Sequence, residues 1–409
     1  MTIFAPKETE QAETRAALDP AAVQKLSGLG LDVIVEAGIG IPSGHSDAAY
    51  KDAGASIAKT AATALAKADI VARVRKPSAA QAAKQKKGSL SISFLDPFNE
   101  PALLKKLASA GVSAVAMDMM PRTTLAQKMD AISSQANLAG YAAVMLAAER
   151  MPKILPMMMT PAGTISPAKF FIIGIGVAGL QAIATAKRLG ARVTAFDTRP
   201  EALEQAESLG AKALRIDLGD TESTDQGYAK ELTDEQLQKQ ADAQAKVIQQ
   251  SDVVITTAKL FGRPAPTLVH QSVIDGMAPG SILIDLAAET GGNVEGSKPD
   301  QEVVTKNDVI ILGPTNLEGS VPQHSSQVYA ANIANFIEHF WDSEEKTIKL
   351  DLEDEIISGC MLTHDGKVIH PTFADGGAPA KKATKKKSAA KKVTKKVITK
   401  KSATKTPKK

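Results

Sequence analysis

Lys169 to Arg199 reads KFFIIGIGVAGLQAIATAKRLGARVTAFDTR, and this stretch decides the fold. An apolar run, Phe170 to Ile173, leads into Gly174-x-Gly176-x-x-Gly179; an alanine-rich amphipathic segment follows, and a second apolar run, Arg192 to Phe196, ends on Asp197. The order is strand, glycine turn, helix, strand: one βαβ unit with a dinucleotide fingerprint. Gly174 permits the tight turn, Gly176 lets the backbone approach a pyrophosphate, and Gly179 lets the helix pack closely on its strand. A diphosphate then meets N–H groups at the positive end of the helix. Asp197 is placed to receive the adenosine ribose diol and to repel a 2′-phosphate, which favours NAD(H) over NADP(H). A lone GxGxxG is common in glycine-rich loops, but here the strand, the helix and the acid at the second strand's end agree.

Phe170 to Ala186 is long and apolar enough to suggest a membrane span. It carries three glycines and Gln181 and is closed by Lys187 and Arg188, whereas a span needs about 20 apolar residues, so a membrane helix is rejected. At 409 residues the chain suits two domains with extras, and its high alanine and low aromatic content fit an α/β protein with many amphipathic helices. The single cysteine, Cys360, excludes an internal disulfide framework. MTIFAPKETE lacks an apolar signal core and is expected to open the first strand. The net charge of +4 conceals an asymmetry: Ala380 to Lys409 holds 14 lysines and no acids, which leaves the rest of the chain at −10. That tail buries too little apolar area to offset its ordering entropy and is expected to be disordered. It is a solvated arm, or it attracts anionic lipid or nucleic acid phosphate.

In the first third, short apolar runs at Ile3–Ala5, Asp32–Glu36, Ile70–Val74, Leu90–Leu95 and Val112–Met117 alternate with amphipathic segments at Ala21–Leu29, Ser46–Ala53 and Ala102–Ala110. This predicts a second doubly wound α/β domain ahead of the fingerprint. Met129 to Glu149 has apolar residues at helical spacing, one long helix crossing from the first domain to the second. MPKILPMMMTPAGTISPAK then reads as an extended connector, with Met157 to Met159 as gap-filling core. Beyond Asp197 come a helix at Pro200–Leu209 and a strand at Ala213–Ile216. Asp217 to Gln250 breaks the rhythm with a polar loop and a charged helix, Asp234–Gln249, capped by Thr233; it is either a lid over the nucleotide site or a surface excursion. Strands resume at Val253–Thr256, Ile282–Asp285 and Val309–Leu312, a helix spans Ser325–Trp341, and Ile356–Ile369 holds an Asp365-Gly366 hairpin turn. The expected division is 1–130 with 321–370 as one Rossmann-like domain, 131–320 as the NAD(H)-binding Rossmann domain with a cleft between the two, and 371–409 as the tail.

Lys7-Glu8-Thr9 with Arg15, PRTTLAQKMDAISSQANLAGY (Pro121 to Tyr141), the fingerprint with FDTR, GYAKE (Gly227 to Glu231) and GSILIDLAAETGGN (Gly280 to Asn293) together closely resemble one family. It is the NAD(H)-binding domain of the alpha subunit of proton-translocating NAD(P) transhydrogenases, relatives of alanine dehydrogenase. The resemblance covers about Thr2 to Trp341, and its Pro121–Tyr141 motif is highly specific. It implies a homodimer that binds NADH and passes hydride to NADP⁺ on the beta subunit, coupled to proton movement through a membrane domain. With no transmembrane segment after the soluble part, it implies the split form whose membrane part of alpha is a separate chain. The protein would then be cytoplasmic, peripheral on the inner face of the plasma membrane. It also implies that Arg122, Gln127, Asp130 and Ser133 hold the nicotinamide and its ribose, that Gly174, Gly176, Val177, Gly179, Asp197, Thr198 and Arg199 bind NAD(H), and that Tyr228 lies on a mobile loop. Without the resemblance, the charged helix start at Asp130 is a capping arrangement.

Departures from alanine dehydrogenase separate the relatives. That enzyme uses a lysine in a VKEP-like motif and a histidine on the next strand; here the stretches read Val74-Arg75-Lys76-Pro77 and Phe94-Leu95-Asp96-Pro97. Arginine is a poor proton carrier and the histidine is absent, although Lys76 lies one position away and Arg15 is retained. Hydride transfer between two nicotinamides needs juxtaposition and exclusion of water rather than a general base, so the lack of one suits a transhydrogenase. No histidine makes a metal-ligand spacing, and no metal is expected. A nucleic-acid-associated NAD sensor, with the tail as its anchor, is the reading from a different class, and an amino-acid dehydrogenase the third.

Overall fold

The computed structural model describes residues 1–10, 12–216, 233–260 and 262–374. The chain divides into Met1–Gly377 and Ala378–Lys409, and the second unit, with its lysine-rich tail, lies outside the described residues. Two sheets organise the first unit. β1 (Thr2–Ala5), β2 (Asp32–Glu36), β3 (Ser56–Ala58), β4 (Ile70–Ala72), β5 (Leu90–Ser93) and β6 (Ser113–Ala116) belong to one, and a hairpin of β7 (Met158–Thr160) and β8 (Gly163–Ile165) follows. β9 (Lys169–Ile173), β10 (Arg192–Phe196), β11 (Lys212–Ala213), β12 (Val253–Thr256), β13 (Ile282–Asp285), β14 (Glu302–Val304) and β15 (Ile310–Leu312) form the other. A short pair, β16 (Trp341–Asp342) and β17 (Thr347–Ile348), precedes β18 (Met361–His364) and β19 (Lys367–Val368), which return to the first sheet.

The orders are β19-β18-β6-β5-β4-β1-β2-β3 and β11-β10-β9-β12-β13-β15-β14. Without the antiparallel edge strands β18, β19 and β14, both sheets are parallel and run third, second, first, fourth, fifth, sixth, the doubly wound arrangement. The expected fold of two Rossmann-like units is borne out. The physical cause is visible in β9, β12 and β13, whose FFII, VVIT and ILID residues are buried on both faces, as strands covered by helices on both sides must be.

Two helices tie the sheets together. Ala131–Arg150 starts with Ala131 in the core of the first sheet and places Ala142, Ala143, Val144 and Ala147 in that of the second, so the expected crossing helix is present. Pro322–His339 packs Tyr329, Ile333, Phe336 and Ile337 back on the first sheet, and the Tyr329 hydroxyl donates to the Arg73 carbonyl at 2.8 Å.

Several sequence expectations are corrected. Met157 to Met159 are not gap-filling core: they sit on the β7–β8 hairpin rather than an extended connector, with Met157 59% and Met159 82% exposed. Methionine tolerates either environment, so composition did not decide. The late helix ends at His339, and Trp341 pairs with Ile348 in β16–β17. Within Ile356–Ile369 a short helix, Glu355–Cys360, precedes the hairpin strands, which begin at Met361. The Asp365-Gly366 turn stands as expected, both residues with positive φ (46° and 78°).

Candidate functional site

The fingerprint turn is shaped by packing on one side and left open on the other. Gly174 sits at φ 93°, and a Cβ there would lie 2.6 Å from Thr257 Oγ1, which itself donates to the Gly174 carbonyl at 2.8 Å. A Cβ on Gly179 would overlap the Gly174 carbonyl oxygen, so this glycine sets how closely the helix Val177–Arg188 approaches β9. Gly176 behaves differently. It is the N-cap of that helix, makes no side-chain cap, and a Cβ there would meet nothing within 4 Å. Uncapped N–H groups beside open space are what a diphosphate needs, so the turn fits the dinucleotide. Thr257 belongs to the same device, and sequence reasoning missed it because its signal is a partner 83 residues away.

At the end of β10, the Asp197 carboxylate takes four hydrogen bonds. Oδ1 accepts from the Arg199 backbone N–H (2.9 Å) and Nε (3.0 Å); Oδ2 accepts from the Ile175 N–H (2.7 Å) and Arg199 Nη2 (3.0 Å). Arg199 Nη2 also donates to the Ile175 carbonyl at 3.1 Å, fastening the second strand's end to the glycine turn. Val177 opens the fingerprint helix, and Thr198 lies between Asp197 and Arg199. Tyr228 and the polar loop around it lie outside the described residues; the helix Asp234–Gln249 beyond it carries the Thr233–Gln236 capping box.

Arg122, Thr123, Thr124, Gln127 and Asp130 line one open cavity of about 260 Å³. Gln127 begins a 3₁₀ turn, and Asp130 ends it as the N-cap of the long helix. Its Oδ1 accepts from the Ser133 N–H at 2.9 Å and its Oδ2 from the Ser133 hydroxyl at 2.5 Å. The capping alternative is therefore real, and it leaves each oxygen a further acceptor position in a residue that lines the cavity. Ser133 supports Asp130 and is not among the cavity's lining residues. The long helix joins this cavity to the fingerprint: a Cβ on Gly140 would overlap the Ala178 carbonyl, so the two helices touch backbone to backbone.

The retained Arg15 is spoken for. Its Nε and Nη2 each donate to Glu13 at 2.7 Å, and its Nη1 to Gln135 (2.9 Å) and Glu318 (3.1 Å). Arg75 Nε donates to the same Glu13 at 2.7 Å. Burial pushes the Glu13 carboxyl up, but hydrogen bonds from Arg15 and the charges of Arg15 and Arg75 hold it below its ordinary value. Lys76 lies 2.7 Å from Glu100 and 3.3 Å from Asp96; burial opposes its charge, and these two acids raise it above its ordinary value. A substrate carboxylate would find the Arg15 fork and the Arg75 Nε already turned to Glu13, and Lys76 held as a cation.

A doubly wound sheet with an open glycine turn, an uncapped helix and an acid at the second strand's end defines a dinucleotide-binding α/β protein, here with a second sheet alongside. Models of the alanine dehydrogenase/PNT family match both halves of the chain, the N-terminal domain over residues 4–139 and the C-terminal domain over 143–371. The chain is 44% identical over 385 residues to the first of the separate pieces of NAD(P) transhydrogenase subunit alpha in Rhodospirillum rubrum, covering 92% of this chain and 100% of that one. NAD(P) transhydrogenase subunit alpha of Haemophilus influenzae is 38% identical over 94% of this chain and 75% of its own length. The solved transhydrogenase structure from Sinorhizobium meliloti superposes with a TM-score of 0.81 at 43% identity, over 90% of this chain and all of that one. The chain belongs to the alanine dehydrogenase/PNT family, on its NAD(P) transhydrogenase alpha-subunit branch.

Proposed function

We propose that this chain is the NAD(H)-binding, hydride-transferring component of a proton-translocating NAD(P) transhydrogenase. The observation that carries the reading is the cavity at the start of the long helix, where Arg122, Gln127 and Asp130 converge. Among the described residues the site offers positioning groups and no free general base, which is what transfer between two nicotinamides requires. When bound, NADH supplies a hydride, whose acceptor is NADP⁺ on a partner subunit. Gly176 and the uncapped N–H groups hold the diphosphate, Asp197 the adenosine ribose, and Arg122, Gln127 and Asp130 orient the nicotinamide end. From Asp130 to Gly140 the helix rises about 15 Å, so one rigid element carries both a lining residue of the nicotinamide cavity and the contact with the diphosphate-binding helix.

The partners of this reading are the beta subunit, the membrane part of alpha and a second copy of the chain. No helix among the described residues is long and apolar enough to cross a membrane, so the membrane association it calls for comes through the partners. The lobes of the proposal are 1–130 with 321–370, and 131–320. Alanine dehydrogenase is disfavoured by Glu13, which takes the Arg15 fork and the Nε of Arg75.

The test follows NADH consumption by the purified chain, first with pyruvate and ammonium, then with NADP⁺ and membranes carrying the partner subunits. Consumption only in the second mixture is the expected result. Consumption with pyruvate and ammonium alone would overturn the assignment.

A further inference from the structure

The Asp197 carboxylate has about four acceptor positions, and all four are filled. Two are taken by backbone N–H groups, of Ile175 and Arg199, and are part of the turn itself. The other two, one on each oxygen, are taken by the Nε and Nη2 of the Arg199 guanidinium. A vicinal ribose diol presents two O–H donors to a carboxylate in the same forked manner. The diol and the guanidinium therefore compete for the same two positions, and both cannot be satisfied at once.

We propose that Arg199 is a latch on the dinucleotide site: its guanidinium fills the ribose-binding positions of Asp197 when the site is empty, is displaced when NAD(H) binds, and helps expel the nucleotide by returning. This rests on the assignment of Asp197 to the adenosine ribose made above. The side chain has somewhere to go. It is 20% exposed, against 9% for the Asp197 side chain, and Glu201, exposed on the first turn of the helix Pro200–Ser208, attracts it. The latch also answers a problem of the empty site. Without it, a nearly buried carboxylate would be left with half its acceptor capacity unmet. A latch that stabilises the empty state weakens nucleotide affinity by that free energy, and where the guanidinium returns as the nucleotide leaves, part of it appears as faster release, a useful property where the nucleotide must leave in every turnover.

The deciding variant is Arg199→Lys, which keeps the positive charge and loses the fork. NADH binding by the full chain is followed by NADH fluorescence, for the equilibrium constant and for the release rate on dilution. The expected result is a roughly three- to tenfold lower Kd with slower release, together with a lower melting temperature of the nucleotide-free protein. Arg199→Ala should do the same at high salt, where the lost attraction between the cation and the diphosphate is screened. An unchanged or higher Kd in both variants, with the melting temperature lowered, would mean that Arg199 is only a structural brace and would overturn the latch. Asp197→Ala separates this from the underlying assignment. If it leaves NADH binding intact, the ribose assignment itself fails; if it weakens binding while Arg199→Lys does not strengthen it, only the latch fails.

Discussion

Arg122 and Asp130 line one cavity but are held differently, and the difference shapes how each is tested. Arg122 is exposed, so its replacement by alanine removes a cavity-lining side chain without opening a hole in the core. Asp130 also caps a 20-residue helix, where loss of the cap costs about 1 kcal/mol. Arg122→Ala and Asp130→Ala are both expected to cut hydride transfer by one to two orders of magnitude while NADH affinity changes little, since in the proposed function they act on the ring rather than on the adenosine end. Asp130→Asn, which still caps, distinguishes the roles: transfer should fall as in alanine while the melting temperature stays put, and unaltered turnover in all three would remove these residues from the mechanism. A second residue gives a pH signature. Glu8 accepts from the Val74 and Arg75 N–H groups, yet burial pushes its carboxyl from 4.5 up to about 7. The folded state then holds a proton that the unfolded state has released, so this contribution is complete below pH 4.5 and is lost as the pH rises through about 7. Glu8→Gln should flatten that part of the stability profile in melts between pH 5 and 8; parallel profiles for the two proteins would refute it.

Among the elements, close helix packing is governed by glycine, and the magnitudes decide the sign of a substitution. Gly140→Ala would gain about 1 kcal/mol of helix propensity. It would also drive a methyl into the Ala178 backbone carbonyl, where overpacking costs about 1–3 kcal/mol or more because backbone cannot rotate aside. A net fall in thermal stability is expected, whereas Gly28→Ala, with nothing within 4 Å, should be neutral or stabilising; equal effects would show that the helices part freely. The longer parallel strands and the crossing helix were legible because each is a continuous apolar run or a long 3.6-residue period bounded by turn residues. The short strands β3, β14, β16 and β17 were not: two or three residues carry no period, and their pairing is set by neighbours far along the chain. The same limit applies at the site. The glycines and Asp197 are visible as a local motif, but the grip of Arg199 on Asp197, the contact of Thr257 with Gly174 and the neutralisation of Arg15 by Glu13 depend on which way side chains turn.

At the scale of the whole molecule, the β7–β8 hairpin has no evident partner within the described chain. Leu155 and Ala168 anchor its base, the Ala168 N–H donating to the Leu155 carbonyl at 3.0 Å, and beyond them Met157, Met158, Met159 and Ile165 are exposed. A lone two-stranded hairpin is marginal in water, and its apolar side chains are better covered. A second copy of the chain is the occupant that the proposed homodimer supplies, and a two-fold pairing would bury two such hairpins at once. Replacing Met159 and Ile165 together by aspartate puts like charges into that contact while leaving both sheets and the nucleotide site untouched. Sedimentation equilibrium at micromolar concentration should give twice the 42.8 kDa chain mass for the native protein and the single mass for the variant, with NADH binding retained by both. A native monomer would remove the dimer from the proposal, and a variant that stays dimeric would move the interface to another face.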